Sequence, residues 1–176
     1  MTRLRVRGAW LLALPLLWFA RPTPETLGIG AIMAACGLLL RSISAGFIRK
    51  DRILTTTGPY AHTRHPLYLG SFVLGLGVSV AGGRWSFVLA FLVFFVAVYP
   101  ATMRAESVRL RERFGAAWAE YADRVPAFVP RLRWSDGTSL RGTFSLAQWR
   151  KNREYEALLG TLAGFAVLTA RMVLRG

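Results

Sequence analysis

Trp85-Ser-Phe-Val-Leu-Ala-Phe-Leu-Val-Phe-Phe-Val-Ala-Val-Tyr-Pro-Ala-Thr-Met103 runs for nineteen residues without a charge. Wound as a helix at ~1.5 Å per residue, it comes close to spanning the ~30 Å hydrocarbon core of a bilayer. Four further stretches approach that length: Leu4–Ala20, Leu27–Ile48 (interrupted by Arg41), Leu67–Gly83 and Ala157–Leu174 (interrupted by Arg171). The first and last are short, and their terminal arginines must snorkel to the interface. Composition agrees with this reading. Apolar residues make up 53% of the 176-residue chain and charged ones 18%, which excludes disorder. The one cysteine, Cys36, lies in an apolar run, so a disulfide scaffold is excluded, and no fixed period marks a repeat array. The expectation is an all-α integral membrane bundle of about five transmembrane helices with a cytoplasmic amphipathic helix, forming one domain over residues 1–176.

The net charge of +14 comes from 23 Lys+Arg against 9 Asp+Glu, and its distribution orients the helices. Arg3, Arg5 and Arg7 precede the first stretch, and Arg41, Arg49, Lys50, Arg52 and Arg64 lie between the second and third or just inside the second. Eleven more, from Arg104 to Arg153, lie between the fourth and fifth. Nineteen of the 23 thus fall on one side, leaving Arg21, Arg84, Arg171 and Arg175 on the other. The positive-inside rule then places the N-terminus, both long connections and any active site in the cytoplasm, with the C-terminus across the membrane. A basic Met1–Arg7 followed by apolar Gly8–Ala20 also suits a secretory signal. A cleavage site after Ala20 wants a small residue at its third-last position too, where Trp18 stands, so a retained first helix is the better reading and a cleaved peptide the alternative. Basic residues placed as topology demands fit nucleic-acid binding badly.

The connections on the far side are minimal, Arg21–Glu25 and Gly82–Arg84, so chemistry belongs on the cytoplasmic side. The first specified segment there is Leu54–Gly70. Gly58–Pro59 predicts a turn, and Pro66 suits the first turn of a helix. Both histidines, His62 and His65, fall in this segment with Tyr60, Arg64 and Tyr68. An interfacial loop with an aromatic belt accounts for that composition. Two histidines with no cysteine nearby make a poor zinc site, and no metal is expected. Beyond it, Ser71, Gly75, Ser79 and Gly83 at four-residue spacing predict a close helix–helix approach.

The second segment is Arg104–Tyr121, where Leu110, Phe114 and Trp118, followed by Tyr121, predict one face of an amphipathic interfacial helix. That reading leaves Glu106 unexplained, and an ionisable residue at the mouth of a membrane helix is a functional candidate. Val125-Pro-Ala-Phe-Val-Pro130 then ends the helix. Gly28-Ile-Gly30 with Asp51 about twenty residues on invites comparison with a dinucleotide fingerprint. Met33 stands in place of the third glycine and no strand precedes it, so a Rossmann site is rejected.

Together, Gly58–Tyr60, Arg64–Gly70, Glu106, Phe114–Gly115, Trp118, Tyr121 and Val125–Pro130 resemble the isoprenylcysteine carboxyl methyltransferase family and its phospholipid N-methyltransferase relatives. The resemblance covers about residues 41–130. Ser107 stands where the family carries a second glutamate, and Trp118 where a tyrosine is commoner. Residues 131–156 read as a cytoplasmic segment leading to a last membrane helix at 157–174.

The resemblance implies an integral membrane methyltransferase using S-adenosylmethionine on a lipid-like or prenylated acceptor. On that basis Glu106 would accept hydrogen bonds from ribose hydroxyls or pair the ammonium. His65, Pro66 and the backbone of Leu67, Tyr68, Leu69 and Gly70 would meet the methionine moiety at a helix start, where N–H groups favour a carboxylate. Tyr60 and Tyr68 would offer aromatic faces to adenine or the sulfonium, and Gly70 would permit close approach of the ligand. A carboxylate acceptor needs no base but does need a positioned cation, for which Arg64 is the first candidate and Arg41 the second. A phosphatidylethanolamine ammonium must instead lose a proton to Glu106 or His65. Carboxyl methylation of an isoprenylcysteine-like substrate is the favoured chemistry. Phospholipid N-methylation is the alternative, and non-catalytic binding of anionic lipid is the alternative of another class.

Overall fold

The computed structural model describes residues 15–16, 18–49, 53–131 and 143–175. Among the described residues these α-helices follow one another: α1 (Pro24–Phe47), α2 (Pro66–Ala81), α3 (Trp85–Phe114), α4 (Ala116–Arg124), α5 (Leu146–Lys151) and α6 (Glu154–Arg175). A 3-10 turn at Gly58–Ala61 sits between α1 and α2, and no strand occurs among the described residues.

The local sequence sets the helix boundaries. Thr23 caps α1 reciprocally: its hydroxyl accepts from the Thr26 N–H at 3.2 Å, and the Thr26 hydroxyl accepts from the Thr23 N–H at 2.9 Å. Pro24 follows in the first turn, where its missing N–H costs nothing. Pro66 plays the same part in α2. Beyond the end of α2, Arg21 donates its N–H to the Gly82 carbonyl at 2.9 Å, closing that end of the bundle.

Among the described residues, α1, α3 and α6 are long and apolar enough to cross a membrane, which accounts for three of the five expected spans. Helix α2 is apolar but has only sixteen residues, about 24 Å of rise, short of the ~30 Å core. Most of Leu4–Ala20 lies outside the described residues. The exposed faces of the long helices carry Ile29, Ile32, Leu39, Leu89, Val93, Val96, Leu159 and Leu162, as helices surrounded by hydrocarbon do.

The nineteen-residue apolar stretch is only part of α3, which continues to Phe114 as one 30-residue helix of ~45 Å. Its last turns therefore project beyond a bilayer core and carry Glu106 with them. The single amphipathic helix expected over Arg104–Tyr121 is broken at Gly115, whose φ of +53° only glycine adopts readily. Leu110 and Phe114 thus belong to α3, while Trp118 and Tyr121 lie on α4, and it is these two that are buried.

Helices α1 and α2 are antiparallel and form the closest pair. A Cβ on Gly77 would stand 2.7 Å from the Gly30 carbonyl oxygen, and one on Gly70 would stand 2.9 Å from that of Gly37. The close approach therefore runs through Gly30, Ala34 and Gly37 against Gly70, Gly77 and Ala81. The expected stripe lies beside it: Gly75 faces the Phe91 ring of α3, and the Ser79 hydroxyl donates to the Gly75 carbonyl. Helix α6 runs antiparallel to α1, with Glu154 at one end against Arg41 and Leu168 at the other among Leu16, Ala20 and Ala81.

Candidate active site

The two segments singled out in the sequence meet at the end of the bundle where α2 begins and α3 projects. They are joined mostly by backbone. The Arg64 N–H donates to the Pro126 carbonyl at 2.9 Å, and the Arg131 N–H to the His62 carbonyl at 2.9 Å. The Thr63 hydroxyl, buried, lies 3.1 Å from both the Ala127 and the Phe128 carbonyl oxygens, and it accepts from the His65 N–H at 3.4 Å. The Tyr121 hydroxyl donates to the Tyr60 carbonyl at 2.7 Å. The Val125–Pro130 run, with few N–H groups of its own to satisfy, offers its carbonyls to the 62–65 loop. Thr63 and the structural part of Tyr121 went unnoticed in the sequence, because a threonine in a loop carries no periodic signal.

Around this joint, three buried polar atoms have no hydrogen-bond partner among the described residues: the Tyr60 hydroxyl, Arg64 Nε and His65 Nε2. Unsatisfied buried polar groups are costly and rare in folded proteins, so three on a six-residue stretch need a reason. Tyr60 and His65 are 5% and 4% exposed. Burial holds the Tyr60 hydroxyl well above its ordinary pKa, with Glu106, Tyr121 and Glu154 adding to it. Burial also lowers the His65 pKa; Glu106 opposes that shift and Arg64 adds to it. His65 is therefore neutral at pH 7, and its Nδ1 lies 3.9 Å from a Glu106 carboxylate oxygen, too far for a hydrogen bond. Glu106 itself is about one-third exposed. The Arg64 guanidinium carbon sits 5.7 Å from the centre of the Trp118 ring, a cation–π placement.

An aromatic wall continues from there. His65 and Tyr68 have ring centres 5.5 Å apart, Tyr68 meets Tyr99 edge-on at 5.6 Å, and Tyr99 stacks on Phe95 at 4.1 Å. Phe128 joins Phe95 and Phe72 at 5.6 and 5.9 Å, so the proline-bounded segment also covers this wall.

Of the expected site residues, the fold brings Tyr60, Arg64, His65, Tyr68 and Glu106 together. Others have different company. Gly70 gives its free side to α1, where a Cβ would stand 2.7 Å from Arg41 Cγ; this close approach is of a helix rather than of a ligand. The N–H groups of Tyr68 and Leu69 both donate to the His65 carbonyl at 3.0 Å, which occupies two of the backbone donors expected for a carboxylate. Pro66 is fully buried, and Leu67 and Leu69 are half-buried. Arg41 is paired with Glu154 of α6, a residue that sequence reasoning passed over. The signal was present: an arginine inside one apolar helix needs an acid, and Glu154 opens another. Among the described residues no cluster of three or more His, Cys, Asp or Glu could hold a metal.

Comparison with known proteins gives this arrangement a family. The chain is 40% identical over 121 residues to the cobalt-zinc-cadmium resistance protein CzcN of Cupriavidus metallidurans, covering 67% of this chain and 54% of that one. It is 40% identical over 106 residues to the nickel-cobalt-cadmium resistance protein NccN of Alcaligenes xylosoxydans xylosoxydans, covering 59% and 48%. It is 31% identical over 100 residues to a protein-S-isoprenylcysteine O-methyltransferase of Schizosaccharomyces pombe, covering 57% and 42%. The chain thus spans about half the length of the curated relatives it matches, and no solved structure matches it. The profile described as phospholipid methyltransferase matches residues 26–117, more than half of the sequence, with the start of α2 and the projecting end of α3 inside the match; the chain belongs to that family of membrane methyltransferases.

Proposed function

We propose that the chain transfers a methyl group from S-adenosylmethionine to a lipid-like acceptor at the membrane, and that the acceptor atom is a carboxylate oxygen of an isoprenylcysteine-like compound. The observation that carries this reading is the set of three unpartnered buried polar atoms on Tyr60, Arg64 and His65 beside the Glu106 carboxylate. These groups fit the cofactor's chemistry. The Glu106 carboxylate suits the ribose hydroxyls or the ammonium, Tyr60 Oη and His65 Nε2 suit the cofactor's polar atoms, and the Tyr68 ring offers a face to adenine or the sulfonium. When bound, the cofactor supplies a methyl carbon activated by a sulfonium and leaves as a neutral thioether.

The chain's own residues do the remaining work. An acceptor carboxylate, with an ordinary pKa near ~3.5, is already anionic at pH 7 and needs no base. Arg64, fixed over Trp118 and bonded through its backbone to Pro126, would hold that carboxylate in line with the methyl carbon jointly with Arg41, neither cation sufficing alone. Positioning and desolvation of two charged reactants then account for much of the rate. The aromatic wall from Tyr68 to Phe128 would exclude water from the reacting atoms. One ester C–O bond forms as the sulfur–methyl bond breaks, and no proton moves.

N-methylation of a phospholipid amine is the second reading, and neutral His65 favours it, because an ammonium acceptor must give up a proton before it attacks. The test uses purified protein in lipid with methyl-labelled S-adenosylmethionine, offered N-acetyl-S-farnesylcysteine in one tube and phosphatidylethanolamine in another. Label that mild base releases as methanol supports carboxyl methylation. Base-stable label in the phospholipid moves the assignment to N-methylation. Label in neither tube, with no cofactor bound, overturns methyl transfer.

A further inference from the structure

Arg41 of α1 and Glu154 of α6 meet through two parallel hydrogen bonds, Nε to Oε2 at 3.1 Å and Nη2 to Oε1 at 3.0 Å. A third N–H, on Nη1, goes to the Ser71 hydroxyl of α2. That hydroxyl in turn donates to the Leu67 carbonyl at 2.8 Å, in the first turn of α2. Arg41 is thereby tied to the helix end that carries His65 and Tyr68, with its Cγ packed on Gly70. A guanidinium has five N–H donors, so two are left, one on each Nη. The exposures are unequal: 21% for the Arg41 side chain and 7% for that of Glu154. An incoming group therefore meets the guanidinium, with the carboxylate behind it. Arg41 lies six residues before the end of α1, roughly 9 Å along its axis, a depth at which the head of a membrane-embedded molecule sits.

We propose that Glu154, which lies outside the family-matched residues, is a positioning residue that holds Arg41 as an oriented and partly neutralised donor for the anionic end of the methyl acceptor. This rests on the methyl-transfer reading above. Partial neutralisation has a kinetic purpose. An arginine at full charge grips the carboxylate more firmly before reaction than in the transition state, where the carboxylate is losing its charge, which lowers kcat along with KM. Glu154 takes up part of that charge and leaves the direction of the N–H donors fixed. Its charge also contributes to raising the pKa of the buried Tyr60 hydroxyl, after burial itself, Glu106 and Tyr121, which places the pair beside the same site.

The test uses the full chain in phosphatidylcholine vesicles and reads binding apart from turnover, with N-acetyl-S-farnesylcysteine and its methyl ester as probes. The wild type should bind the acid about tenfold more tightly than the ester. Arg41→Met should abolish that preference. Glu154→Gln should keep or increase it while lowering kcat about tenfold, and Glu154→Asp, which restores the charge, should recover most of the kcat. Acid binding kept or tightened together with a lower kcat is not what a purely structural contact gives. Arg41→Met with Glu154→Met replaces the buried pair by apolar side chains, so it should unfold near the wild-type temperature yet show no preference. Acid preference that survives in this double variant, or Glu154→Gln kinetics within twofold of wild type, overturns the proposal. Wild-type turnover with no Arg41-dependent preference defeats the pair alone. An Arg41-dependent preference without transfer to any acceptor defeats the methyl-transfer reading and leaves the anion site standing.

Discussion

Tyr60 buries a hydroxyl that finds no partner among the described residues, while its own carbonyl is taken by Tyr121. The side chain and the backbone of one residue thus have separate duties. Removing an unsatisfied buried hydroxyl costs little stability. Tyr60→Phe should therefore leave the unfolding midpoint unchanged, and cofactor affinity measured by calorimetry should fall about tenfold. Unchanged affinity would remove Tyr60 from the site. His65 makes a pH-dependent prediction. Its folded-state pKa lies below the usual ~6.5, so the unfolded chain takes up its proton first as the pH falls. The stability gained by keeping the ring neutral is present in full above pH ~6.5 and is lost progressively below it. The wild-type unfolding midpoint should drop more between pH 7 and 5 than that of His65→Asn, and parallel curves would contradict this.

At the level of elements, two joints position the site. The first is the loop of 62–65 against 126–131, held by Thr63. Thr63→Val keeps the shape and removes the hydroxyl from two carbonyls and one N–H; a loss of about 1–3 kcal/mol is expected, read by thermal unfolding. Faster hydrogen exchange at Arg64 and Arg131 should accompany it, because their N–H bonds cross the same joint. The second joint is the α1–α2 contact. Gly77→Val would drive methyl groups into the Gly30 carbonyl and the Ala34 N–H, where backbone cannot yield. Overpacking of this kind costs about 1–3 kcal/mol or more, and the variant should lose the folded form in detergent before Gly160→Val does, since the Gly160 Cβ position meets nothing within 4 Å.

Across the whole molecule, the described helices long and apolar enough to cross a membrane are α1, α3 and α6, and the shorter α2 runs back along α1 to the end where Arg21 meets Gly82; the charge asymmetry of the sequence remains the argument for their orientation. In a Cys36→Ser background, single cysteines at Thr56 and Ser86 should react with an impermeant thiol reagent from opposite faces of the membrane, Thr56 from the cytoplasmic one. Labelling of both from one face would refute the orientation. The C-terminal part is bound into the same bundle. Besides Glu154, the Asn152 amide donates to the Ala45 carbonyl at 2.8 Å, and the Ser145 N–H to the Gly46 carbonyl at 3.1 Å.

The membrane class, the all-helical fold, the family and the cluster of Tyr60, Arg64, His65, Tyr68 and Glu106 were legible in the sequence. Apolar runs and capping residues act locally, and the two segments that form the candidate site carry their residues at fixed short spacings. Three matters depended on tertiary structure. A positive φ at Gly115 split an amphipathic run whose spacing is continuous. The face of α2 that packs was decided by where α1 also has glycines, a match between two distant segments that neither spacing reveals alone. Arg41, legible as a cation, became one half of an ion pair because α6 folds back and brings Glu154, 113 residues further along the chain, to its guanidinium. Local chemistry is written in order along the chain, whereas the pairing of buried charges follows only from which helices pack together.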